Sequence, residues 1–234
     1  MRPFQFKQFA VEQSRTAMKV GTDGVLLGAW CRCDGGRVLD IGTGCGLIAL
    51  MVAQRNANAI IDAVEINSDS AAEARANFEL SPWGDRLSAY CSDIQSYNAL
   101  DRYDHIVTNP PFFLNSLGSP DEGRNVARHS VELSFEDLVA AVDRLLSGDG
   151  RLSIILPPAE MEHFEIVANN RLKATRRCLV YGREGGALKR ILMEFGRESS
   201  GVEQQSLMLE NRDWSEGRYS EEYRDLTHDF YLKF

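Results

Sequence analysis

Short β-rich runs alternate with helical stretches along most of this chain, and that alternation constrains its fold more than any other feature. "RVLDI" (37–41), "AIIDAVEI" (59–66), "RLSAYC" (86–91), "YDHIVTN" (103–109) and "RLSIILP" (151–157) read as strands. "LIALMVAQR" (47–55), "SDSAAEARANFELS" (68–81), "SFEDLVAAVDRLL" (134–146) and "AEMEHFEIVANN" (159–170) read as helices. Ser68 is a plausible N-cap, Ser134 with Asp137 makes an approximate capping box, and Gly148 is the expected stop of the third helix. Strands separated by helices imply right-handed crossovers and a mainly parallel sheet. The last two strands, "ATRRCLVYG" and "LKRILMEFGR", are joined by "REGGA", too short for a helical crossover, so they form an antiparallel hairpin. The expectation is an α/β fold: a doubly wound, seven-stranded, mainly parallel sheet with a C-terminal antiparallel hairpin.

At 234 residues the chain can bury one substantial core. Three regions are expected: an arm over 1–36 packing on the ligand site, the α/β domain over 37–197, and an acidic extension of the same domain over 198–234. The net charge of −8 argues mildly against a nucleic-acid partner, since general attraction to phosphates needs a basic surface. The acidity is uneven, however: from Glu198 onward nine acidic residues face four basic ones. The rest of the chain keeps room for a local basic face. The longest apolar runs, such as "LIALMVA" (47–53), are too short to span a membrane, and "MRPFQFKQFA" lacks the apolar core of a signal peptide. Cysteines 31, 33, 45, 91 and 178 show no CxxC pair and no matched His spacing. No metal is expected, and scattered thiols suit a reducing, cytoplasmic compartment.

"DIGTGCG" (40–46) sits between the first strand and its helix. Glycines at 42, 44 and 46 permit backbone shapes barred to other residues and close approach by a ligand. The spacing G-x-G-x-G departs from the dinucleotide fingerprint, and Asp40 would be awkward against a pyrophosphate. It suits a cationic ligand, such as the amino-acid end of S-adenosylmethionine (AdoMet). Glu65 ends the second strand, where a carboxylate can accept from ribose hydroxyls, and Asp93 follows the third, where it can accept from an adenine amino group. Asp40, Glu65, Asp93 and Asn109 all fall at the carboxyl ends of strands, where open α/β sheets bind ligands.

The fourth strand runs into "NPPF" (109–112). Each proline fixes its backbone and removes a donor, so this is a rigid, extended turn. A planar NH₂ is a poor nucleophile because its lone pair is delocalised. Two acceptors gripping its hydrogens, the Asn109 side-chain oxygen and the Pro110 carbonyl, can orient the nitrogen. Pro111 stiffens the turn, and the Phe112 ring can stack on a planar substrate for about 1–3 kcal/mol. His129, in the loop beyond, reads as structural or solvated.

The glycine loop and its acids resemble the class I AdoMet-dependent methyltransferases, with their Rossmann-like sheet, over about residues 37–197. NPPF resembles the (N/D/S)PP(Y/F) signature of amino-group methyltransferases. By itself it does not choose among adenine N(6) in nucleic acid, guanine N(2) in ribosomal RNA, and the glutamine amide of release factors. "KVGTDGVLLGAW" together with "DIGTGCGLIALMVAQR" and "TNPPFF" resembles the bacterial tRNA1(Val) adenine-37 N(6)-methyltransferase family, through most of the chain. The resemblance implies that Thr22 and Asp23 close over AdoMet. It implies that Asp40, Gly42, Gly44, Gly46, Glu65 and Asp93 bind it, and that Asn109, Pro110, Pro111 and Phe112 hold the adenine of a tRNA anticodon loop.

An unpaired loop base costs less to extract than one in a duplex. Arg2, Lys7, Arg15, Lys19, Arg124, Arg128, Arg171, Lys173, Arg176 and Arg177 are candidate phosphate contacts. Phe4, Phe6 and Phe9 either stack on bases or pack the arm onto the core. A monomer is expected. The rivals are a methyltransferase acting on a ribosomal guanine or a release-factor glutamine, and a non-catalytic RNA-binding module, which would show damaged cofactor or NPPF residues.

Overall fold

The structure is a computed structural model that describes residues 2–16, 18–34, 36–111 and 133–234. Phe112, Arg124, Arg128 and His129 lie outside the described residues. The strands β1 (Phe4–Gln5) and β2 (Ala10–Val11) form a small antiparallel ribbon. There follow α1 (Thr22–Trp30), β3 (Arg37–Ile41), α2 (Leu47–Arg55), β4 (Ile60–Glu65), α3 (Ser68–Glu79), β5 (Leu87–Cys91) and β6 (Tyr103–Thr108). The remaining main elements are α4 (Phe135–Leu145), β7 (Leu146–Leu156), α5 (Pro158–Ala168), β8 (Lys173–Arg183), β9 (Leu188–Gly196), β10 (Glu203–Glu210) and α6 (Glu221–Thr227).

The sheet order is β10-β8-β9-β7-β6-β3-β4-β5. Only β9 runs antiparallel to its neighbours, so the expected hairpin closes an otherwise parallel sheet. Neighbouring strand residues face opposite layers: Val38 packs with α1 and α2, while Leu39 and Ile41 pack with α4 and α5. This is the alternation a strand buried on both faces requires.

The sheet has eight strands rather than the seven expected. The acidic extension supplies β10, which pairs parallel with β8 at the edge. Its "EQQS" half is exposed, so it offered no apolar pattern from which to read a strand. The chain then returns through α6, and Tyr223, Phe230, Tyr231 and Phe234 join the core cluster of α1. The arm meets this extension: Phe6 stacks on Phe9 and on Tyr231, and the Lys7 N–H donates to the Phe230 carbonyl at 2.8 Å. Phe6 and Phe9 are buried, which decides for packing over base stacking at those two rings.

Two cap expectations are corrected. Asn67, not Ser68, caps α3: its side chain accepts from the Asp69 and Ser70 N–H groups, and Ser68 is the first helical residue. Gly148 does not stop α4, which ends at Leu145 because Leu146 is already extended and opens β7. At the start of α4, Ser134 does cap, accepting from the Asp137 N–H at 3.1 Å.

Candidate active site

The turn after β3 folds across the end of β4. The Gly42 N–H donates to the Val64 carbonyl at 2.8 Å, and the Gly46 N–H to the Thr43 carbonyl at 2.9 Å. Gly42, Gly44 and Gly46 have φ of 69°, 57° and 85°, the left-handed region that only glycine occupies cheaply. A Cβ on Gly42 would meet no atom of the described residues within 4 Å, whereas one on Gly46 would lie 2.5 Å from the Phe78 ring. One glycine therefore clears space for a ligand and another for the core.

Asp40 is fully buried beneath this turn. Its Oδ2 accepts from the Thr43 hydroxyl at 2.6 Å and the Ala49 N–H at 3.2 Å, while its Oδ1 has no hydrogen-bond partner among the described residues. Burial pushes its carboxyl up to about 7, against the pull of those two donors. Glu65 braces the turn from the other side, Oε2 accepting the Gly44 N–H at 3.0 Å and Oε1 the Asn67 N–H at 2.9 Å.

The arm is held over the turn by α3. Glu73 accepts the N–H groups of Arg15 and Thr16 and the hydroxyl of Ser14. Burial works to raise its carboxyl, but these donors outweigh that and hold it below the usual range. One turn on, the Asn77 amide donates to the carbonyls of Glu12 and Cys45, tying arm to turn. Neither residue was singled out in the sequence. Their four-residue spacing puts both on one helix face, the only local sign that they act together.

A cavity of about 500 Å³ results, lined from the turn by Gly42 and Gly44, from the strand ends by Glu65, Asp93 and Asn109, and from the arm by Arg15, Thr16 and Lys19. Asp93 accepts the Gln95 N–H at 2.9 Å through its side chain. Asn109 is half-buried, and its Oδ1 is buried without a hydrogen-bond partner among the described residues. Pro111 lines the cavity and is exposed, whereas Pro110 is buried. Asp23 lines the cavity too and is held by Arg190 at 2.7 Å.

Two site residues depart from expectation. Thr22 is exposed and lines a separate cavity, because consecutive residues at the start of α1 point to different sides of the helix. Asp40 lies under the loop rather than on the cavity surface, so any hold it has on a ligand passes through Thr43.

The profile of the methyltransferase small domain matches residues 13–159. A tRNA1(Val) (adenine(37)-N6)-methyltransferase from Bacteroides fragilis is 44% identical, over 98% of this chain and 98% of its own. One of the same name from Aeromonas hydrophila is 45% identical, over 98% of this chain and 97% of its own. The chain belongs to the tRNA1(Val) (adenine(37)-N6)-methyltransferase family. A solved structure, described as a predicted O-methyltransferase from Agrobacterium tumefaciens, matches with a TM-score of 0.70 at 20% identity, covering 89% of this chain and 96% of that one. That likeness concerns the fold alone.

The methyl donor of this methyltransferase family is AdoMet, and the residues present fit it. The space above Gly42 admits a ligand against bare backbone, and Glu65 and Asp93 each keep acceptor capacity beyond the N–H groups they already receive. The expected basic contacts separate by position. Arg15 and Lys19 are exposed at the cavity. Lys7 is tied to the carbonyls of His228 and Phe234. Arg176 is excluded as an RNA contact: it is 6% exposed, stacks 3.6 Å over the Trp30 ring and pairs with Glu194 at 2.9 Å. Arg171 just precedes β8 and Lys173 opens it, at the far end of the sheet from the cavity. Among the described residues, no helix is long and apolar enough to cross a membrane.

Proposed function

We propose that this protein methylates the exocyclic N(6) amino group of adenine 37 in the anticodon loop of a valine tRNA, with AdoMet as donor. One observation carries the assignment of the site. The Asn109 Oδ1, at the end of β6, is buried, has no hydrogen-bond partner among the described residues, and belongs to a residue lining the same cavity as the glycine turn. A buried acceptor left unpaired costs about 1–3 kcal/mol, and an incoming amino group would satisfy it.

When bound, AdoMet supplies an electrophilic methyl group on a sulfonium sulfur. The chain's own residues position and orient. Glu65 and Asp93 offer acceptors to ribose and adenine, the glycine turn admits the ligand to its backbone, and Asp40 keeps Thr43 in place. Asn109 and the Pro110 carbonyl accept the two hydrogens of the target amino group, and Pro111 limits their motion. Phe112 supplies an aromatic face by residue type. The acceleration comes from alignment, which is worth a large share of a methyl-transfer barrier when the reacting atoms are held in line.

Residues 1–36 act as the arm over the cofactor, 37–197 as the catalytic domain and 198–234 as its extension. Five free cysteines suit a reducing compartment, so the cytoplasm is the proposed location, and a monomer the proposed state. The test is transfer of labelled methyl from AdoMet to unmodified tRNA, followed by mapping. Label at adenine 37 of a valine tRNA is the expected result. Label on a guanine N(2), on a release-factor glutamine, or nowhere overturns the assignment.

A further inference from the structure

A second cavity, of about 560 Å³, opens between the β8–β9 hairpin, the end of β10 and the C-terminal aromatic cluster. Its position follows from topology. β8 and β10 run parallel to β7 and β6, so Arg183 and Glu210, which end them, lie on the same rim of the sheet as Asn109. β8 stands three strands from β6 in the sheet order, about 14 Å at the usual strand spacing. Thr22 lines this second cavity and Asp23 the first, so the start of α1 forms the wall between them.

The chemistry of the lining is unlike that of the chain as a whole. Arg183, Lys189 and Arg218 face a single acid, Glu210, in a protein of net charge −8. Glu210 is already paired with Arg218 at 2.7 Å. Arg183 and Lys189 are exposed, and their side chains make no ion pair or hydrogen bond among the described residues. Beside them Tyr219 is half-buried, with its ring in contact with the buried Tyr223 and the Arg218 guanidinium near its face. Unpaired cations next to a ring bordering open space are what a nucleotide requires: a phosphate for the cations and a face for the base.

We propose that this cavity is an RNA subsite that receives a nucleotide of the substrate other than the target adenine, its phosphate held by Arg183 and Lys189. The inference rests on the tRNA assignment above. The subsite adds affinity and register, and takes no part in the chemistry at Asn109.

The test compares wild type with the Arg183→Ala/Lys189→Ala double variant, using an unmodified valine tRNA transcript. Tight-binding curves at several salt concentrations are measured for each, with AdoMet affinity and methyl transfer alongside. Removing two phosphate contacts should weaken tRNA binding by roughly tenfold and lower the salt slope by about 1–2. AdoMet affinity and kcat at saturating tRNA should stay at wild-type values, so the loss reads in KM. A charge-matched control, Arg171→Ala/Lys173→Ala at the opposite end of β8, should leave tRNA affinity unchanged.

Equal tRNA affinity and salt slope in wild type and the Arg183/Lys189 variant would overturn the subsite, as would an equal loss in the control. A wild type that binds the transcript but transfers no methyl defeats the assigned reaction alone, and the variant comparison still decides the subsite. A wild type that does not bind the transcript defeats both.

Discussion

Glu65, at the end of β4, accepts the backbone N–H of Gly44 at 3.0 Å, so the acid closing the second strand of the parallel core clamps the turn leaving the first. Its other oxygen takes the Asn67 N–H, where the chain turns into α3. Replacing it by alanine strands the part-buried Gly44 N–H, at about 1–3 kcal/mol, leaves the exposed Asn67 N–H to water, and removes the proposed ribose acceptor. Glu65→Ala should weaken AdoMet binding by at least about tenfold, since 1.4 kcal/mol is a factor of ten. Calorimetric titration checks this; an unchanged Kd would detach Glu65 from the cofactor.

Asp40 makes stability depend on pH in a direction unusual for a carboxylate. Its ordinary value is 3.8, and burial pushes it up to about 7 in the folded chain. Between those values the folded state holds a proton that the unfolded state has lost, so stability falls as pH rises through the window. The full effect is about 4 kcal/mol. His105 works against it: burial pushes that imidazole down to about 4 from 6.5, and stability is lost as pH falls through this range. The difference between wild type and Asp40→Asn isolates the carboxyl. Urea unfolding from pH 4 to 8 should show wild type losing ground to the variant as pH rises, whereas a constant difference would contradict the burial argument.

The three glycines of the turn should fail in different ways when replaced. Gly46→Ala places a Cβ 2.5 Å from Phe78 at φ 85°, so it should lower stability by roughly 2–4 kcal/mol through overpacking and backbone strain together. Gly42→Ala meets no atom of the described residues within 4 Å and carries only the backbone cost, about 1–2 kcal/mol, but fills cavity space. Thermal unfolding and AdoMet titration separate them: Gly46→Ala should lose mainly stability, Gly42→Ala mainly affinity. Equal losses in both assays would contradict this division.

Arg176 tests the reading of the basic residues. It is buried against Trp30 and Glu194, and removing one partner of a buried ion pair costs about 3–5 kcal/mol. Arg176→Ala should destabilise the protein by that order in urea unfolding while the folded fraction binds tRNA normally. A stable variant with weakened tRNA binding would return Arg176 to the RNA face.

The parts legible in the sequence are those governed by local period. Strands β3 to β9 were recognisable because apolar runs of strand length ended at glycine, proline or a helix start, and the strand-end positions of Glu65, Asp93 and Asn109 followed from that. Arg176 was misread by its charge alone. Arg176, Cys178 and Val180 are buried at every second position of β8, and that period places Arg176 inward. β10 carried no such period. The brace from Glu73 and Asn77 to the arm joins residues 57–65 positions apart, and only the folded chain brings them together. Asp40's place under the turn, rather than facing the cavity, depends on how the turn folds back on Thr43.

Asn109→Ala in a methyl-transfer assay with unmodified tRNA, paired with AdoMet titration, tests the central claim most directly. In the proposed arrangement, loss of the side-chain oxygen leaves the target nitrogen held by one acceptor, and misplacement of that order can cost about 10²-fold in rate. The account predicts a fall of at least that size with AdoMet affinity at its wild-type value. A variant that transfers methyl at near the wild-type rate would contradict it.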